Sequence, residues 1–288
     1  MALQAFFDAS GKENDDPVLT VAGYFADDKE CEAVENDWGT ATGGRVFHLA
    51  DFGTEYCKLG SMGWTKAERV AFLQRLGGII NRPRVFMASA SAEVSQYASF
   101  LRVASHAHVF GPAYSGLAQI CIHMTERALR AHNLFREKVA YAFEKGEREH
   151  ELAKTLTEYG KPKGGLRKLR SHRFLPKDTT LLQPADLIAG TVQHVLLRAH
   201  AAVRCLDNGR VCTSLHNFER YYSKDGVSAA VLAAYDGIML RIVANKPLFA
   251  SLDALTEEMS QRNPAILNKR LKQSRNQGKR ARQIRTGS

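Results

Sequence analysis

Short apolar runs of strand length, several ending at a carboxylate, alternate along this chain with segments of helical period, and no other feature constrains its fold as much. Residues 3–7 form one such run, closed by Asp8 and the Ser10-Gly11 turn, and residues 18–25 form a second, placed as its hairpin partner. The spacing predicts a helix over 27–38, with Asp27 and Asp28 at its positive end. A third strand is predicted at 45–49, running into His48-Leu49-Ala50-Asp51. Thr65 with Glu68 three residues on is a capping-box pattern for a helix that reaches residue 80. Then come a strand at 83–90, a helix over 112–132, a strand over 138–143 that delivers Glu144, and a charged helix over 146–159. A short strand ends at Phe174-Leu175, a helix starts near Pro184, and a further helix is expected over 227–243. Strands and helices in this order predict an α/β fold with one mixed sheet covered on both faces.

At 288 residues and 44% hydrophobic content the chain can bury a full core. Residues 1–258 read as one domain with inserted helices, and 259–288 as a basic tail too polar to pack by itself. The net charge of +10 is concentrated there: 259–288 hold nine Lys or Arg and no acid, whereas the first 55 residues hold twelve acids against three bases. A near-neutral body with a basic arm is an electrostatic handle for a polyanion, although a solvated terminus has the same composition. The five cysteines are scattered, with no Cys-x-x-Cys pair, which argues for reduced thiols and against a disulfide framework or zinc knuckle. The apolar stretch 192–203 is interrupted by His194, Arg198 and His200, so no membrane span is expected. Met1-Ala2-Leu3-Gln4 lacks the basic start of a signal peptide, and a cytoplasmic location is the expectation.

Three carboxylates stand where a sheet enzyme could use them: Asp8, Glu144 and Asp186. Brought together they would suit a hard cation, Mg2+ or Mn2+, and hence phosphodiester chemistry. Asp8 closes a buried strand, where its charge needs either a cation or an Asx turn over Ser10 and Gly11. Asp186 lies in the first turn of its helix, where the dipole alone would also favour it. Gln183, three residues before it, and Gly190, four after, share its helix face. Glu147 and Glu151 read as a solvated face. His48, beside Asp51, could orient water or contact a phosphate, or could be a packed imidazole. No Walker-type glycine loop and no Gly-x-Ser-x-Gly elbow is present.

Phe6-Phe7-Asp8-Ala9-Ser10-Gly11, His48-Leu49-Ala50-Asp51 and Gln183-Pro184-Ala185-Asp186-Leu187-Ile188-Ala189-Gly190 together resemble the bacterial and phage family known as domain of unknown function 3800. The resemblance spans residues 3–203, and its last motif is the most specific. It implies a ribonuclease H-like α/β fold, a mixed central sheet flanked by helices, and metal-dependent nuclease activity. Asp8 matches the family's first-strand acid, and Gln183 and Asp186 its late-helix pair; Glu144 stands where ribonuclease H-like enzymes place a further acid. Ala9 departs from the family's usual Asp-Glu-Ser-Gly, although alternation along a continuing strand would point residue 9 away from Asp8. On this reading Asp8, Glu144 and Asp186 hold the metal, and Gln183 or His48 orients substrate or water. Lys161, Lys163, Arg167, Lys168, Arg170 and Arg173, read as a basic loop, would grip the phosphate backbone of RNA or DNA. Lys269, Arg270, Lys272, Arg275, Lys279, Arg280, Arg282 and Arg285 of the tail would do the same. A catalytically silent nucleic-acid-binding scaffold, or an interaction subunit of a bacterial or phage (possibly defence) assembly, fits the same residues and stays open at this point.

Overall fold

A computed structural model of the chain describes residues 2–12, 16–102, 111–131, 134, 137–146, 148–159 and 169–207. Strand β1 (Leu3–Ser10) and strand β2 (Val18–Asp27) form the expected antiparallel hairpin, with Leu3 opposite Asp27 and Ser10 opposite Thr20. Helix α1 (Asp28–Thr42) follows without a loop because Asp27 both ends the strand and caps the helix, accepting Glu30 N at 2.9 Å. Thr65 and Glu68 close the predicted capping box on α2 (Lys66–Ile80). Strand β3 (Phe86–Glu93) pairs antiparallel with β2 and runs directly into α3 (Val94–Leu101), a helix absent from the sequence reading. Helix α4 (Ala113–Ala131), β4 (Val139–Glu144), α5 (Glu149–Tyr159), β5 (Leu169–Leu175) and α6 (Gln183–Asp207) follow.

The sheet order is β3-β2-β1-β4-β5, with β4 parallel to β1 and β5 parallel to β4. The predicted mixed sheet, flanked by helices, is what forms. Strand alternation sorts its side chains into two cores. Phe6, Tyr24 and Ala142 pack with Trp38, Leu73 and Ile188 under α1, α2 and α6. Phe7, Val21, Tyr141 and Phe143 pack with Tyr97, Leu117 and Leu152 under α3, α4 and α5. Phe6 and Phe7, both fully buried, each contribute about 1.5–3 kcal/mol of apolar transfer, one to each side of β1. The site strand is thereby clamped between two layers.

Two expectations change. Residues 45–48 join no strand, although His48 is itself extended, and a 3-10 turn at Leu49–Asp51 follows. The amides of Phe47 and Leu49 are donated to side chains of α6, so a helix edge takes the place of a neighbouring strand. The basic segment read as a loop is partly sheet, since Arg170 and Arg173 lie in β5. Lys161, Lys163, Arg167 and Lys168, the expected helix over 227–243 and the tail 259–288 lie outside the described residues. Among the described residues no helix is long and apolar enough to cross a membrane.

Candidate functional site

Register alone brings two of the three acids together. Phe6 stands beside Ala142 and Phe7 beside Phe143, which leaves Asp8 and Glu144 as the next neighbours across the parallel pair. Both follow residues that face α4, so both project to the α6 side, from strands roughly 4.8 Å apart. Their carboxyls are near enough to one another to interact directly. Asp8 is only 4% exposed. Burial first, then the side-chain interaction with Glu144 and the charges of Asp186 and Glu144, push its carboxyl well above the usual carboxylate range. The Ala9 amide, 2.7 Å from Oδ1, opposes them. Because β1 continues to Ser10, Asp8 is not the head of an Asx turn. Ala9 packs against the other core, so a carboxylate at position 9 would point to the opposite side of the sheet.

The third acid arrives on α6. The Asp186 carboxylate is raised chiefly by burial, with the Glu144 charge adding, while His48, the Leu49 amide and Lys177 pull it down. Its Oδ2 accepts Leu49 N at 2.7 Å, and its Oδ1 lies 3.6 Å from His48 Nε2. Nδ1 of the same ring is 3.0 Å from Asp51 Oδ2, so Asp51 orients His48 with its other nitrogen toward Asp186. Ser10 Oγ donates to Gln193 Oε1 and Gln193 Nε2 donates to Val18 O at 3.2 Å, tying the strand end after Asp8 to α6 two turns beyond Asp186.

Gln183 takes a different role from the one its position in the motif suggests. It is buried; its Oε1 accepts Trp38 Nε1 at 3.0 Å and Phe47 N at 2.9 Å, and its Nε2 donates to Asp178 O at 3.3 Å. With its oxygen doubly occupied, it positions the 47–49 segment and has no acceptor left for substrate or water. Gly190 completes that edge, because a Cβ there would stand 2.6 Å from Leu49 Cδ2. Gln183, Asp186 and Gly190 thus share a face, as their spacing predicts, and what they face is the segment carrying His48.

The remaining candidates scatter. Glu151 Oε1 accepts Ser115 Oγ at 2.5 Å, an interhelical tie in place of the expected solvated face. Arg173 Nη2 reaches Gln4 Oε1 at 3.0 Å, four residues before Asp8 and so at the far end of the strand. Sequence reasoning missed Lys177, in the turn between β5 and α6, and Tyr114 of α4, whose hydroxyl is pushed up by burial and by the Asp8 and Glu144 charges. The Arg148 guanidinium lies 5.6 Å above the Tyr114 ring. Neither residue belongs to a local motif; only the tertiary fold brings their charges within range of the acids.

Among the described residues no three His, Cys, Asp or Glu side chains already stand in metal-ligating geometry. Asp8 and Glu144 are in contact, while Asp186 is turned toward Leu49 N and His48. Comparison with models of known families gives no match for this chain. No curated protein matches it in sequence.

Proposed function

We propose that this chain is a ribonuclease H-like, divalent-metal-dependent nuclease that hydrolyses phosphodiester bonds, related to the family its motifs resemble. The observation that carries the reading is the convergence of Asp8, Glu144 and Asp186 from two parallel strands and the opening turn of α6. Holding three acids together where burial raises two of them is unfavourable without a cation. The donor set is all oxygen, which suits Mg2+ or Mn2+, and Asp8, Glu144 and Asp186 are the residues that would hold it. Such an ion supplies charge stabilisation at the phosphoryl group during hydrolysis.

The chain's own contributions follow from the geometry. Asp51 holds the His48 ring through Nδ1, and Nε2, 3.6 Å from Asp186 and so outside hydrogen-bond distance, is the atom that can orient a water or a phosphate oxygen beside the acids. Lys177 offsets part of the negative charge at Asp186. Gln183 keeps the 47–49 segment in place, so that Asp186 and His48 stay in register.

The test is cleavage of end-labelled single- and double-stranded RNA and DNA in Mg2+ or Mn2+, comparing wild type with Asp186→Asn. Asparagine keeps an oxygen for Leu49 N but removes the charge, so the variant folds and its cleavage falls by roughly 100-fold or more. Absence of cleavage by the wild type sinks the nuclease reading in favour of a silent binding scaffold, and equal cleavage by both proteins assigns the activity elsewhere.

A further inference from the structure

Residues 52–64 link the Asp51 turn to α2, and they carry the two exposed large hydrophobic side chains of the described residues, Tyr56 at 73% and Met62 at 63%. A loosely held loop exposes apolar groups without consequence. This one is anchored at many points. Phe52, Cys57 and Leu59 are buried in the core beneath α1 and α2, and the Phe52 ring packs on Phe47, Trp64 and Phe72. Ser61, fully buried, accepts Gly53 N at 2.9 Å and donates to Cys57 Sγ at 3.0 Å. Arg69 of α2 donates to the carbonyls of Ser61 and Met62 at 3.2 and 2.9 Å. Tyr56 is therefore presented to solvent from a fixed base.

On its inner side the loop borders a pocket of about 270 Å³, lined by His48, Cys57, Lys58 and Lys177 among others. Asp8, Glu144 and Asp186 are not in its lining, but two of its lining residues reach toward them: His48 is 3.6 Å from Asp186, and Lys177 acts on the Asp186 charge. Two acids also line it; Asp51 is bonded to His48, while Asp178 is an exposed charge at the rim. Tyr56 is not in the pocket lining but precedes Lys58 by two residues in the same anchored loop. An exposed aromatic ring together with cations is how a single-stranded nucleic acid is held, because every base has a stacking face and every linkage a negative charge. A duplex keeps its base faces stacked internally and cannot use such a platform. The volume lies just under the roughly 300 Å³ at which small-ligand sites begin, enough for part of one nucleotide.

We propose that this loop and pocket bind single-stranded nucleic acid, with Tyr56 stacking on a base while Lys58 and Lys177 hold the flanking phosphates of the strand led to Asp8, Glu144 and Asp186. The fate of that strand rests on the nuclease reading, whereas its binding does not. The test uses the full chain in EDTA with a short single strand carrying 2-aminopurine, read by anisotropy and by quenching on stacking. Tyr56→Ala is expected to weaken binding by roughly tenfold and to abolish the quenching, while Tyr56→Phe keeps both. Lys58→Gln with Lys177→Gln is expected to flatten the log-log salt dependence by about 1.4, two phosphates at about 0.7 each on single strands. Asp178→Asn is expected to tighten binding. The tail is present in every variant and cancels from these ratios. Unchanged affinity and quenching in Tyr56→Ala, or a duplex that depends on Tyr56 as the single strand does, overturns the proposal. A parallel cleavage assay in Mn2+ separates the two readings. Cleavage with kcat/KM unaffected by Tyr56→Ala and the lysine variant overturns the pocket alone, and Tyr56-dependent binding without cleavage overturns the nuclease alone.

Discussion

Asp8 sits where the fold disfavours its charge, and that gives the metal-free protein a characteristic pH response. Its folded carboxyl, like that of Asp186, is raised above the ordinary value, so its contribution to stability is complete below the ordinary carboxylate range. That contribution is lost as pH rises through the raised folded value. In EDTA, Asp8→Asn is therefore expected to melt above wild type at pH 8 and to lose that advantage toward pH 4, by about 2–4 °C for each kcal/mol of repulsion removed. Added Mn2+ should raise the Tm of wild type and leave Asp8→Asn nearly unmoved. A pH-independent gap between the two melting curves would show that Asp8 is ionised at no cost and needs no cation. The acid itself was legible in the sequence, because a carboxylate ending an apolar run has few structural explanations. Its contact with Glu144 was not, since it depends on which strand lies beside β1 and in what register.

At the scale of elements, the long helix α6 does two jobs with one edge. Gln183 and Asp186, three residues apart, accept the amides of Phe47 and Leu49, two residues apart in the chain, and Gly190 makes room for the Leu49 side chain. The strand read at 45–49 does not form, because a short apolar run does not show whether the groups that take its amides belong to a strand or to a helix. Likewise the Gln-x-x-Asp spacing shows a shared face without showing that the amide is spent on Trp38 and Phe47. Gln183→Leu would leave those two buried donors bare, at about 1–3 kcal/mol each. The expected outcome is an unfolding free energy from urea denaturation lowered by that amount, together with loss of cleavage through displacement of His48. A variant that unfolds like wild type yet cannot cleave would return Gln183 to a direct catalytic role. The capping box at Thr65 and the hairpin of β1 with β2 were legible because their determinants are local. Helix α3, attached to β3 without a break, had no such marker.

For the whole molecule, charge and chemistry are assigned to separate regions. The candidate carboxylates lie in a near-neutral body, and the excess of bases lies in 259–288. Deleting 268–288 removes eight of the nine tail bases and, if six meet phosphates, should flatten the salt dependence of duplex DNA binding by about 5 on log-log axes, with no change in Tm. Tyr56-dependent binding of a single strand should survive the deletion, and an unaltered duplex slope would remove the tail from polyanion recognition. The layered α/β architecture was legible because alternation of periods is a global property of the sequence. The division of its helices between the two faces was settled only by long-range pairing. Strand β1 has one partner next to it in sequence, β2, and another, β4, that is made only after α4. Closing that second pairing is a long-range and therefore slow step. A chain synthesised only to residue 143 owns Asp8 alone, and one stopped at 182 has gained Glu144 but lacks both acceptors for the 47–49 segment. On the proposed nuclease reading, and with RNA as substrate, the nascent protein would thus stay harmless to its own template until its last described helix has emerged and docked.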